Sequence, residues 1–287
     1  MLAIYKKEIR TYFTHMMGYI FLAFMLLLAG IWFVNISISG QNPNFHLVLS
    51  NITMFFFILI PVLTMRLFSE EARQKTDQLL FTSPLSVMSI VVGKFLAAVT
   101  LFFVAVAITA VLPFIVRNYG NLPVSQIIGS YVGFLLIGMA CIAVGVFISV
   151  LTDNQIIAAI ATVGAVFVMF FMEAVAFNMP TSTFASLMFV GIIIVIVAAI
   201  WYNSTKNIIA TILVSLFGFG VAAGLYFANN LFFDGLIIRV LQWLSIYSRF
   251  NNFLVGILNL NDIVYYVSFS ALFIYLTVNV IEKRRWR

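Results

Sequence analysis

Between Thr11 and Met65 the chain carries no Asp, Glu, Lys or Arg. A stretch this long and uncharged is enough for two helices of about 20 residues, each matching the hydrocarbon thickness of a bilayer. Its one strong turn signal is Gly40-Gln41-Asn42-Pro43-Asn44, which divides it into spans near 18–38 and 47–66. Further apolar runs lie near 95–116, 127–151, 156–177, 184–202, 208–228 and 263–281, which makes eight spans. Runs of this length exclude a transmembrane barrel, whose strands would be about 10 residues with alternating polarity. The chain is 64% hydrophobic and 8% charged, with 31 Phe and 12 Met, so its charges could not cover the surface of a soluble domain. The sequence predicts an all-α polytopic helix bundle, one transmembrane domain over residues 1–287.

The positions of the basic residues predict its orientation, because Lys and Arg are retained on the cytoplasmic side. With the N-terminus inside, Lys6, Lys7, Arg10, Arg66, Arg73, Lys75, Lys94, Lys206, Lys283, Arg284, Arg285 and Arg287 fall on inner segments, and Arg117, Arg239 and Arg249 on outer ones. Twelve against three supports eight spans with both termini cytoplasmic. The net charge of +6 therefore belongs to membrane topology and calls for no nucleic-acid partner. Residues 234–258 are apolar but interrupted by Arg239, Gln242, Arg249, Asn251 and Asn252. They read as re-entrant helices entering from the outer face or as helices lying flat on it. Residues 1–16 form an amphipathic interface helix, with Leu2, Tyr5, Ile9, Tyr12, Phe13 and Met16 on one face and Lys6, Lys7 and Arg10 beside it. A secretory signal peptide is disfavoured, since the following apolar run is too long and ends in no small-residue cleavage site.

Charges gather in only one inter-span segment, 67–90, where Glu70, Glu71, Arg73, Lys75 and Asp77 follow Arg66 and precede Lys94. Helix-forming composition over 66–81 repeats apolar residues on one face, and Ser83 and Pro84 suit the start of a second helix. A solvated loop would need no such face, whereas a docking partner would use it.

The order Glu70-Glu71, a basic residue, Thr76, Leu79-Leu80, Pro84 and Gly93-Lys94 resembles the segment between the second and third helices of type-2 ABC exporter permeases. The likeness extends to the basic N-terminus, LTDNQIIAA at 151–159, LSIYSRFNNFLVGILNLNDIVYY at 244–266 and the EKRRWR tail, and is strongest to the gliding-motility-type branch. Lys75 departs from the pattern where relatives often carry Gly, which touches only the local bend. The resemblance implies that this segment is a coupling helix docking on a separate ABC ATPase subunit, with Glu70, Glu71, Arg73, Thr76, Leu79, Leu80 and Pro84 as coupling residues. It also implies a bacterial plasma membrane location and a second permease protomer, identical or related. The first and fifth spans would face the partner, with Ala158, Ala161 and Ala165 as the candidate interface.

No G-x-x-x-x-G-K-[ST] loop is present, so this chain is not expected to be an enzyme by itself or to hold a cofactor. ATP and Mg would be bound by the ATPase subunit. Pro61 and Pro113 lie inside the second and third spans and mark candidate kinks, static or moving. Gly129/Gly133 and Gly220/Gly224 form G-x-x-x-G pairs suited to close helix packing. Glu173 is the one acid well inside a span, though only about 7.5 Å from Asn178 at the helical rise, and is a candidate polar contact near an outer gate. His15 and His46 lack partners at metal-ligand spacing, and Cys141 reads as a packing residue. A gradient-driven secondary transporter and a non-transporting membrane scaffold or sensor remain as alternatives.

Overall fold

The computed structural model describes residues 1–76, 85–117, 123–228 and 233–285. Every regular element among them is helical. Among the described residues seven stretches are long and apolar enough to cross a membrane: Met16–Ser39, Val87–Val116, Val124–Leu151, Gln155–Phe177, Thr183–Asn203, Ile208–Phe227 and Leu260–Arg285. The bent pair His46–Thr53 and Phe56–Thr64 makes an eighth if taken as one span. The chain divides into two compact units, Met1–Phe170 with Ile246–Arg287, and Phe171–Ser245.

The first unit opens with α1 (Leu2–Thr14), closed by the extended backbone of His15, and α2 (Met16–Phe33), which runs into a π-helical turn at Val34–Ser39. The apolar stripe expected on α1 is divided. Tyr5 and Tyr12 turn into the bundle, where their hydroxyls meet Thr100 Oγ1 at 3.0 Å and the Leu63 carbonyl at 2.9 Å. Leu2, Phe13 and Met16 stay exposed, while Ile4 and Glu8 are buried. A buried phenol must find a hydrogen-bond partner, and that need decides which aromatic residues turn inward.

The second span is α3 (His46–Thr53) and α4 (Phe56–Thr64), meeting at 63°. Pro61, the expected kink marker, sits within α4, while the 63° bend of the span falls at Met54–Phe55. Just before it, the Asn51 amide and Thr53 hydroxyl donate back to the Leu47 and Leu49 carbonyls, at 2.8 and 2.7 Å. Such side-chain competition for helix carbonyls bends helices. A turn leads to α5 (Ser69–Arg73), and α6 (Val87–Thr109) follows the undescribed residues 77–84. Ser83 and Pro84, the expected helix start, lie outside the described residues. Leu85 and Ser86 lie outside the helix, and Ser86 is the cap, its hydroxyl accepting the Ser89 N–H at 3.3 Å. A two-residue break separates α6 from α7 (Leu112–Val116), with Pro113 in its first turn, where a missing N–H breaks no helical bond.

Helix α8 (Val124–Leu151) is the axis of this unit and packs against α3, α4 and α6 and against α13 (Ile246–Leu254) and α14 (Leu260–Arg285). Gly129 and Gly133 let the α13 segment approach: a Cβ at Gly133 would lie 2.5 Å from Phe253 Cβ. Phe56 anchors α4 here, its ring centroid 4.9 Å from Phe134 and 5.7 Å from Phe102. Helix α9 (Gln155–Phe177) begins in this unit.

The second unit contains the end of α9, then α10 (Thr183–Thr205), α11 (Ile208–Ala228) and α12 (Leu236–Leu244). Helices α10 and α11 pack together, and Lys206, at φ +52°, caps α10. Asp234 ties the approach to α12: its carboxylate accepts the Thr183 hydroxyl at 2.8 Å and its carbonyl accepts Arg239 at 2.7 Å. The expected interruption at 234–258 is met by two nine-residue helices, α12 and α13, both too short to span a bilayer.

Candidate functional site

The acidic pair that marks the segment after the second span sits on α5 and faces two ways. Glu70 folds back onto Arg66 one turn earlier, at 2.6 and 2.9 Å through Nε and Nη2. That bidentate hydrogen bond holds the Glu70 carboxyl below its usual range, outweighing partial burial, and raises the Arg66 guanidinium. Glu71 points inward. Its carboxylate lies 2.8 Å from Lys7 Nζ on α1 and 3.0 Å from Lys94 Nζ on α6.

Lys94 is the centre of the arrangement. Its side chain is 1% exposed, its ammonium is 2.9 Å from Glu8 of α1, and it donates to the Leu67 carbonyl at 2.5 Å. The Phe68 ring lies beneath it, 5.0 Å to the centroid. Lys7, Glu8, Glu71 and Lys94 therefore form a neutral cluster of two cations and two carboxylates drawn from three helices. Burying charge is costly unless each is paired and hydrogen-bonded, and here each has a partner. At Lys7 burial works to lower the pKa, but the hydrogen bond and charge of Glu71, with Glu8 behind it, raise it on balance.

The backbone of α5 is pinned from the other side by Ser149 of α8, whose hydroxyl accepts the N–H groups of Phe68 and Ser69 at 3.1 and 3.3 Å. The helix expected over 66–81 is shorter than expected, because α5 ends in a Schellman turn. Thr76 N–H bonds the Glu71 carbonyl at 3.0 Å and Lys75 N–H the Ala72 carbonyl at 3.1 Å, with Lys75 left-handed at φ +57°. The left-handed position that ends the helix is filled here by Lys75. A groove of about 370 Å³ runs beside the cluster, lined among others by His15, Arg66, Glu70 and Lys94.

Of the residues expected to act in coupling, the structure brings Glu70 and Glu71 to this junction and leaves Arg73 and Thr76 exposed beside it. Leu79, Leu80 and Pro84 lie outside the described residues. Lys94, Glu8 and Lys7 were not among the expected site residues. A signal for two of them is in the sequence: Lys94 is the lone charge between Asp77 and Arg117, and Glu8 the lone acid before Glu70. A second polar knot joins α13 to α14, where buried Asp262 accepts Asn252 at 2.8 Å and Arg249 at 3.4 Å, and Arg249 stacks 3.9 Å over Tyr265. On α9, Ala158 is buried, Ala161 exposed and Ala165 intermediate, and Glu173 is half-buried. Among the described residues no group of three or more His, Cys, Asp or Glu could hold a metal ion.

The family model described as ABC-2 family transporter protein matches residues 31–185, more than half of the chain. The chain belongs to that family. No curated protein and no solved structure matches it. As an ABC-2 family member with this set of apolar helices it is a multi-pass membrane protein, the membrane domain of an ABC transporter. The ABC-2 match takes in Glu70, Glu71 and Lys94 but stops short of Lys7 and Glu8, so the junction joins the family's own region to the preceding α1.

Proposed function

We propose that this chain is the permease subunit of an ATP-driven exporter in the bacterial plasma membrane, most like the gliding-motility-type branch, with both termini cytoplasmic. The observation that carries the reading is the fixing of α5, which bears the acidic pair between the second and third spans, to α6 through Glu71 and Lys94 at 3.0 Å. A loop with no mechanical task needs no buried ion pair to a transmembrane helix, whereas a docking element that moves the bundle does.

In this reading a separate ATPase subunit, which alone holds ATP and Mg, docks on residues 67–90. ATP binding draws two such subunits together, and the displacement passes as a rigid-body shift to the second and third spans, changing which side of the bundle is open. A second permease protomer, identical or related, completes the pathway, with Ala161 and Ala165 of α9 on the contact face, Ala158 being buried within its own protomer, and Glu173 as a polar group near the outer gate.

The test is gentle purification from the native membrane, comparing the unaltered chain with Leu79→Asp/Leu80→Asp. Stoichiometric recovery of an ATPase, lost in the double variant, is expected. No ATPase with the unaltered chain, in a preparation that keeps other complexes intact, overturns the reading in favour of a scaffold or gradient-driven transporter.

A further inference from the structure

The second and third spans are both candidates to receive a displacement applied at α5, but they are built differently. The second is interrupted twice, by the turn at 65–68 that separates α4 from α5 and by the 63° bend between α3 and α4. Each interruption can absorb a push in backbone rotation instead of passing it on. The third span begins with 23 continuous helical residues, Val87–Thr109, and Lys94 lies two turns inside its start. A continuous helix transmits displacement along its length, because bending it would break hydrogen bonds turn after turn.

The chemistry at Lys94 makes the attachment stiff. Two carboxylates from separate helices lie 2.9 and 3.0 Å from one ammonium that is 1% exposed, and a backbone carbonyl completes its shell. Separating these groups without water would leave buried unpaired charge, so small relative motions of α1, α5 and α6 are strongly opposed. The other ties of α5 are the Arg66–Glu70 pair, about a quarter exposed and confined to the segment after α4, and the neutral hydroxyl of Ser149, whose contacts are 3.1 and 3.3 Å.

We infer that Lys94 is a positioning residue that locks α1, α5 and α6 into one moving body, so that the stroke of the ATPase enters the bundle through α6 rather than through the second span. This rests on the permease reading above. It also gives α1 a mechanical role: through Glu8 the interface helix travels with α6 and holds the moving body at the membrane surface.

The test uses the co-purified complex in lipid nanodiscs, with a nitroxide on Ile108→Cys, an exposed position near the far end of α6. Cys141 is buried, so the label goes to position 108. The electron paramagnetic resonance line shape is recorded before and after trapping with ATP, Mg²⁺ and vanadate. It is compared between otherwise unaltered chains and Lys94→Met/Glu8→Gln/Glu71→Gln, which removes the cluster without stranding a buried charge. The expected result is equal ATPase recovery in both, with the trapping-induced change present in the first and lost in the triple variant. A merely structural role for Lys94 would not move that readout in a complex that still assembles. An equal change in both, no change in either, or loss of the ATPase from the triple variant alone overturns the inference and leaves the permease reading standing. Absence of any ATPase from the unaltered chain overturns both.

Discussion

Replacing Lys94 by Met should be among the most damaging single changes in the chain, and its damage should be repaired by a second change that by itself looks unfavourable. Lys94→Met keeps the side-chain volume but leaves the carboxylates of Glu8 and Glu71 with one cation, Lys7, 3.7 and 2.8 Å away. One buried negative charge is then uncompensated, which costs about 3–5 kcal/mol. Adding Glu8→Gln removes that charge, and the remaining Lys7–Glu71 pair is balanced, so the double variant should lie within about 1 kcal/mol of the unaltered chain. The coupling between the two substitutions is then at least about 2–4 kcal/mol, larger by whatever Glu8→Gln costs alone, and far above the usual non-additivity of distant sites. The assay is SDS-induced unfolding in mixed micelles, followed by tryptophan fluorescence. If Lys94→Met alone costs less than about 1 kcal/mol, or Glu8→Gln fails to restore it, the cluster is not the buried charge network argued for here.

Three further outcomes are expected in the same assay. Lys75→Gly should stabilise the chain by up to about 1 kcal/mol, because the left-handed φ of +57° penalises a side chain, and Lys75→Val should destabilise it. Gly133→Ala should cost about 1–3 kcal/mol by overpacking against Phe253, whereas Gly220→Ala, with nothing described within 4 Å, should be neutral or slightly stabilising. Arg66→Met should cost about 0.3–0.5 kcal/mol at neutral pH. Since the folded pKa of Glu70 is depressed below its ordinary 4.5, that contribution is present above this value and lost as pH falls through the folded one, so the two chains should converge in acid.

Much of the fold was legible because lipid imposes a local rule. The charge-free run from Thr11 to Met65 could only be spanning helices, and the turn signal at 40–44 correctly separated α2 from α3. The interrupted stretch before the last span was visible as polar residues in an apolar run, and it became α12 and α13. The G-x-x-x-G at Gly129 and Gly133 was legible as a packing motif, but not that α13 would fill it. The position of the bend in the second span was not legible: proline is the obvious breaker, yet the bend follows the back-bonding of Asn51 and Thr53. The helical wheel placed Leu2, Tyr5, Tyr12 and Phe13 together as apolar, because it cannot see that Thr100 and Leu63 offer partners to two of them.

The sequence by itself determined the solvent of this chain, the approximate limits of its long apolar helices, and where along it the charges fall. Transfer into hydrocarbon is summed over about 20 adjacent residues, so neighbours alone settle it. Only the tertiary structure decided which charges neutralise one another. Lys94 and Glu8 are 86 residues apart; Lys94 has no acid within its own helix, and Glu8 pairs within its own only with Lys7, at 3.7 Å against 2.9 Å for Lys94. Their pairing depends on α1 and α6 approaching closely enough to exclude water, a condition fixed by packing across the whole bundle.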